Sequence, residues 1–264
     1  MKKLGQGQKK KCTEAANQGE KKSSTAERGK KKKASQCPEV GDEDKFLNKA
    51  SKKKFKSIAG RGIVVESVID EAAFENYGLM ELLKERGLKK SATFAESYSL
   101  SLVQEVYSNL SSSDKGISKV FMQGKLIPFS PMSLNRFLEF KYEIKGNYDE
   151  GLELNEDVLK EITGGRTKSW GVESRLPASI LIAKYNVFFG LGILNWLPTP
   201  HNSSIVKELT LLLFAIVTRK KFNMGRLIFQ NVVKEADCTS FSILLSYPPL
   251  LPQYLLQHWI HLMK

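Results

Sequence analysis

The sequence predicts a mainly α-helical protein: a single helical globular domain with one small β-hairpin, preceded by a disordered, basic N-terminal tail. Three observations lead there. Charge is segregated, since residues 1–56 carry 18 Lys and Arg against 7 Asp and Glu, a net of +11, which leaves only +2 of the whole-chain +13 for residues 57–264. Residues 1–45 hold almost no branched apolar or aromatic side chains, Leu4 and Val40 excepted, so burial cannot offset the entropy of ordering them. Residues 194–228 contain an apolar helix ending at Trp196 and Leu197, stopped by Pro198 and Pro200, and then a second strongly apolar helix. The expected division is a Lys-rich tail over 1–54 and a helical domain over 55–264. The remaining 208 residues after the basic segment are enough to bury about 70% of the surface that the unfolded chain exposes.

The elements follow in order. Ile63, Val64, Val65 and Val68 make a short extended lead-in, and Asp70 caps a helix carrying Ala73, Phe74 and Tyr77 at helical spacing. Gly78 interrupts it, and a further short helix from Leu79 to Arg86 closes at Gly87. Residues 95–110 place Tyr98, Leu102, Val103, Val106, Tyr107 and Leu110 on one face of an amphipathic helix, which the serines 111–113 end. Lys119 to Met122 and Lys125 to Phe129 read as a hairpin around Gln123 and Gly124, and two strands alone are marginal, so the hairpin must lie on helices.

Ser130 followed by Pro131 is an N-cap with proline at the first helical position. Residues 141–151 are a polar loop, Asn155 caps a short helix, and Gly164 with Gly165 ends it. Leu176 and Pro177 open a long helix to Trp196. The next helix is framed by His201, Asn202 and Ser203 in front and by Arg219, Lys220 and Lys221 behind, which suits the two ends of its macrodipole. Asn223 caps another helix, and Tyr247, Pro248 and Pro249 precede a last one from Leu250. That helix runs to Lys264 without a stop signal, as a piece of a longer reading frame would.

Several function classes lose ground. An apolar secretory run near the start is missing, and Cys12, Cys37 and Cys238 form neither an even set nor a zinc spacing, so a reducing, intracellular setting is expected. The sequons at Asn109 and Asn202 then count as chance matches. Residues 178–197 approach the length of a membrane span, but Lys184 and Asn186 near the middle favour a core helix. No membrane partner is expected.

Two-metal transposition chemistry requires converging carboxylates, and Asp70, Asp114, Asp149, Asp157 and Asp237 supply the residue type. Most stand at helix starts or in loops, where carboxylates serve as caps. His201 in its Pro-His-Asn-Ser junction reads as a turn residue, and His258 with His261 lacks a third ligand. No catalytic residue, metal site or cofactor is assigned.

The feature with positive weight is the grouped basic tail: Lys9, Lys10 and Lys11; Lys21 and Lys22; Lys30, Lys31, Lys32 and Lys33; then Lys52, Lys53 and Lys54. Such groups neutralise phosphates and release counterions without fixed structure. Aromatic residues for stacking are missing from residues 1–45, so contact would be nonspecific and salt-sensitive. The same clusters suit a nuclear import signal or a merely solvating tail, and the sequence leaves these readings open.

Four blocks carry a family likeness: YSLSLVQEVYSNL at 98–110, VFMQGKLIPFSPMSLNRFL at 120–138, LPTPHNSSIVKELTLLLFAIV at 197–217 with its KKFNMGRLIF continuation, and YPPLLPQYLLQ at 247–257. In content, order and spacing they resemble the putative plant transposon protein domain, a family of retroelement-derived reading frames. Val106, Ser108 and the pair Glu208–Leu209 depart from its usual pattern. The resemblance implies one helical domain over residues 55–257 and supplies no catalytic residues. The expectation is therefore a non-enzymatic, retroelement-derived interaction or assembly module, able to self-associate, with a basic arm for nonspecific nucleic-acid contact. The alternatives are a divergent metal-dependent transposition enzyme and a domain that retains no biochemical activity.

Overall fold

The computed structural model describes residues 44–66, 69–93, 98–110, 119–140, 146–171, 175–199 and 202–261, so the expected disordered tail as far as residue 43 lies outside the described residues. The described chain is mainly helical, as predicted. Helical order begins before Phe55: α1 spans Lys49–Ile58, with Asn48 Oδ1 accepting the Ser51 N–H at 2.9 Å. Residues 49–54, expected in the tail, are thus helical, because Ser51 and Ile58 give this basic segment an inner face that packs on a later helix.

Asp70 caps α2 (Glu71–Asn76) as expected, accepting the Ala73 N–H at 3.1 Å. α3 (Leu79–Glu85) follows and ends at Gly87, whose φ of 67° suits a residue without Cβ. The one-turn helix α4 (Lys89–Ala92) has no cap signal and was not legible. α5 is shorter than predicted, Leu100–Asn109, and it is not one-faced. Gln104, Glu105, Ser108 and Asn109 are buried beside Val103, Val106 and Tyr107, because α5 is covered from several sides by α1, a strand and two later helices.

The hairpin forms where expected. β1 (Lys119–Met122) pairs antiparallel with β2 (Lys125–Pro128), with Val120 opposite Ile127 and Met122 opposite Lys125. Ser130 starts α6 (Pro131–Leu138) in a reciprocal capping box with Ser133, and Asn155 caps α7 (Glu156–Thr163) by accepting the Val158 N–H at 2.9 Å. Of the predicted polar loop over 141–151, the described residues 146–151 are bends and turns.

The region from Leu176 differs from its prediction. Leu176–Pro177 is a short strand, β3, paired with β4 (Ser204–Ile205), and a 3-10 turn over Ala178–Ile180 follows, so α8 covers only Ala183–Leu191. Pro177 has no N–H to continue a helix, and the Ala178 N–H is taken by the Ser203 carbonyl at 2.9 Å. From Gly192 to Trp196 the helix widens into a π-turn. Its last carbonyl, Trp196 O, accepts from Tyr247 Oη at 2.8 Å and Asn231 Nδ2 at 3.3 Å.

Past β4 comes α9 (Lys207–Val217), whose N-cap is Val206; of the residues expected to frame it in front, Asn202 and Ser203 stand before β4, and His201 lies outside the described residues. Behind it, Arg219 forms a forked ion pair with Glu85 (2.9 and 3.1 Å) and Lys220 donates to the Glu150 carbonyl. α10 (Met224–Asp237) is capped by Asn223 as predicted, and α11 (Leu250–His261) follows Tyr247 and the two prolines.

One apolar core joins these elements, with Trp196, Tyr107, Tyr185, Tyr247 and Tyr254 among its largest buried side chains. α6 packs on α10, α5 on α1 and β1, and α11 on β2. Two buried arginines complete the helix ends. Arg61 donates from one guanidinium nitrogen to the Glu235 carbonyl at 2.8 Å and from the other to that of Cys238, at the C-terminus of α10. Arg86 does the same for the Arg219 and Lys220 carbonyls after α9. Each guanidinium satisfies orphan carbonyls and sits at the negative end of a helix dipole.

Candidate nucleic-acid interface

α1 is held on the domain by a strap of residues 44–47. The Gly124 N–H in the hairpin turn donates to the Asp44 carbonyl at 2.9 Å. Asn109 clasps the next residues: its Nδ2 donates to the Lys45 carbonyl at 2.7 Å, and its Oδ1 accepts the Leu47 N–H at 2.9 Å. Phe46 meets Phe55 edge to face with ring centroids 5.2 Å apart, and Gln104 Nε2 donates to the Ala59 carbonyl at 3.3 Å at the far end. The sequon residue Asn109 is therefore a buried structural clasp.

On this fixed helix Lys52 and Lys53, two of the predicted contact residues, are exposed. Lys54 is not: it turns inward and donates to the Leu110 carbonyl, and burial holds its ammonium below the usual lysine range against the attraction of Asp237. It is removed from the exposed set for that reason. Lys49 and Lys56, which the sequence reading passed over, share the outer surface with Lys52 and Lys53. A signal for them existed, because Asn48 is a good N-cap and the lysine positions 49, 52, 53 and 56 repeat at helical spacing. The predicted Lys9, Lys10, Lys11, Lys21, Lys22 and Lys30 to Lys33 lie outside the described residues.

The other candidates are dispersed. Asp70 caps α2, Asp157 lies in the first turn of α7, the Asp149 carbonyl closes a turn with Leu152, and Asp237 ends α10. Among the described residues no three His, Cys, Asp or Glu side chains form a group that could hold a metal ion. Asp114 and His201 lie outside the described residues. His258 Nδ1 donates to the Tyr254 carbonyl at 2.9 Å and its ring packs on that of Tyr254. Among the described residues no helix is long and apolar enough to cross a membrane.

Two carboxyl groups, Glu66 and Glu105, are buried and a third, Glu235, is half-buried, and sequence reasoning missed all three. Glu105 accepts the backbone N–H of Gln123 at 2.7 Å and also its side-chain amide, which fixes the hairpin turn. Glu235 accepts from Tyr107 Oη at 2.8 Å, Ser246 Oγ at 2.6 Å and the Ser246 N–H at 3.0 Å. Glu66 is 6% exposed and meets the Leu250 N–H at the start of α11. Burial raises the pKa of all three, and for Glu66 it pushes the value up to about 8. Perturbed carboxyls often mark reaction centres. Glu105 and Glu235 are directed at donors that hold two segments together, which is a structural use; Glu66 meets the Leu250 N–H, while its Oε1 has no hydrogen-bond partner among the described residues.

Comparison with known proteins gives one finding. Residues 84–258, about two thirds of the chain, match the profile of a family described as Putative plant retrotransposon-related domain. No match was found among curated proteins or among solved structures.

Proposed function

The chain belongs to the plant retrotransposon-related domain family, and from that membership together with its charge distribution we infer a non-enzymatic interaction or assembly module whose lysine-rich arm contacts nucleic acid without sequence preference. The observation that carries this reading is the confinement of a net +11 to residues 1–56, beside 208 residues that carry +2. A field concentrated in one segment attracts a polyanion at long range, whereas the same charge spread over a surface would mainly aid solubility. Residues 1–45 hold no aromatic side chain to stack on bases, and Phe46 and Phe55 pack on each other, so affinity comes from phosphate neutralisation and falls steeply with salt. The two-cluster pattern at Lys21, Lys22 and Lys30 to Lys33 also suits nuclear import, where such an arm would meet nucleic acid.

The test is filter binding of random duplex DNA and RNA at two salt concentrations. The full chain is compared with a variant in which Lys9 to Lys11, Lys21, Lys22 and Lys30 to Lys33 are glutamine. Expected for the full chain is a dissociation constant on the order of 10⁻⁴ to 10⁻⁶ M near physiological salt. The variant should bind at least about tenfold more weakly, with a shallower salt dependence. Equal retention of both proteins would remove the arm from the function. Cleavage of the duplex on addition of Mg²⁺ or Mn²⁺ would replace this reading with a metal-dependent enzyme.

A further inference from the structure

We propose that the outer face of α1 is a second, preformed contact for nucleic acid, in which Lys49, Lys52, Lys53 and Lys56 lie along the sugar–phosphate backbone of a duplex. The proposal rests on the reading above and deepens it, by adding a rigid surface to an arm that works by charge alone.

The geometry is the first support. Positions i, i+3, i+4 and i+7 fall on one side of an α-helix, and at 1.5 Å per residue the row is about 10 Å long. Along one strand of a duplex, phosphates recur about every 3.4 Å of axis, so the row spans about three of them. The helix contains no acidic residue, and the only other outward residue within the row is Ala50. Phe55, the large apolar side chain among the lysines, is half-buried against Phe46, so the face suits a phosphate backbone better than a lipid surface, which an interfacial helix enters through apolar groups.

Local energetics are the second support. Like charges at i, i+3 and i+4 repel one another, and lysines in the first turn oppose the helix dipole. A helix chosen for stability alone would alternate signs or place acids at its start. α1 does neither, yet the Asn109 clasp, the Phe46–Phe55 contact and its packing on α5 hold it in place. A row of lysines kept on a scaffold against its own repulsion is relieved by a polyanion. Inward-turned Lys54 sharpens the point, since the fold takes one lysine for itself and leaves four outside. α1 also precedes residue 84, where the family match starts, so the face is not a feature of the matched segment.

The experiment uses the full chain and a random 30-base-pair duplex, following affinity against salt. One variant carries Lys49→Gln, Lys52→Gln, Lys53→Gln and Lys56→Gln. A matched variant removes the same charge from exposed lysines elsewhere, Lys84→Gln, Lys160→Gln, Lys168→Gln and Lys234→Gln. Expected for the α1 variant is a log–log salt slope shallower by about 3, near the value of 0.9 per phosphate for up to four contacts. The matched variant should stay within one unit of the parent slope. Without DNA, the α1 variant should melt no lower than the parent, because the repulsion and the unfavourable first-turn charges removed outweigh the favourable last-turn charge of Lys56; in DNA, it should lose stabilisation that the parent gains.

Equal slopes for the α1 and matched variants would overturn the proposal while leaving the arm intact. Weakened binding to anionic vesicles with unchanged duplex binding would overturn it in favour of a lipid surface. If the parent chain bound no duplex at all, the functional reading would fall first. If instead the nine-glutamine tail variant kept a residual, salt-sensitive affinity that the α1 substitutions abolished, the proposal would stand on its own.

Discussion

Gly225→Ala is expected to lower the melting temperature by about 8–12 °C. Gly225 stands where α6 and α10 approach most tightly, and its N–H donates to Asn135 Oδ1 at 2.7 Å. Asn135, 1% exposed, donates in turn from Nδ2 to Asn223 Oδ1 at 2.8 Å, the atom that caps α10 through the Arg226 N–H at 2.8 Å. A methyl group on Gly225 would meet Asn135 Oδ1 at 2.6 Å and would press still closer on the Pro131 carbonyl oxygen. Neither atom is the loose end of a flexible side chain, so the helices must part or the Asn135 link must break. Overpacking costs about 1–3 kcal/mol, and the lost hydrogen bond about 1 more. Each kcal/mol moves the melting temperature by about 2–4 °C in a domain of this size. Gly190→Ala is the control, since nothing lies within 4 Å of the added carbon and the site is exposed on α8. There the better helix former should leave stability equal or slightly higher. A drop below 2 °C for Gly225→Ala would show that the α6–α10 approach is looser than described.

Glu66→Gln is expected to stabilise the protein at pH 8.5 by about 2–4 kcal/mol and to change little at pH 5. Burial pushes the Glu66 carboxyl up to about 8, opposed only by the Leu250 N–H. Because the folded value exceeds the unfolded one near 4.3, the native state keeps a proton that the unfolded chain has released between those two values. Stability from this group is therefore fully present below about pH 4.3. It declines as pH rises toward 8, and is level above that. Glu105 and Glu235 are raised by burial as well and tilt the curve the same way. Glutamine keeps an acceptor for the Leu250 N–H and has no charge to desolvate, so the variant should lose Glu66's share of the slope. Urea unfolding at the two pH values decides it, and an equal difference at both would mean that Glu66 is not neutral in the fold.

Much of the fold was legible because much of it is local. Asp70, Ser130, Asn155 and Asn223 each satisfy an N–H three residues away, so a cap can be recognised without its tertiary setting. The Gln123–Gly124 turn and the stops at Gly87 and Gly164 belong to the same class. What escaped depends on distant partners. The β3–β4 pair joins Leu176 to Ile205, with a helix between, and two residues per strand leave no alternation to detect. Half-buried Glu235 answers to Tyr107, 128 positions away, and Arg61 to the Glu235 carbonyl, 174 positions away. On sequence alone such residues look like surface charges. Lysine content assigns residues 49–54 to the tail, yet Ser51, Phe55 and Ile58, at helical spacing, give α1 the inner face that leaves its lysines outside.

The widened turn from Gly192 to Trp196 makes this point tolerant of a one-residue loss that α8 would not bear, in a way that residue identity does not reveal. A π-turn accommodates one residue more than its regular counterpart. Excising Leu194 would let the segment close into a regular turn with its flanks kept in phase, whereas losing a residue from the regular part of α8 would swing the side chains up to Trp196 by about 100°. The indole that now donates to Ser91 Oγ at 3.2 Å would then point elsewhere, and the carbonyl shared by Asn231 and Tyr247 would leave both. A single-codon gap in α8 discards the phase of the helix, whereas one inside the widened turn is absorbed.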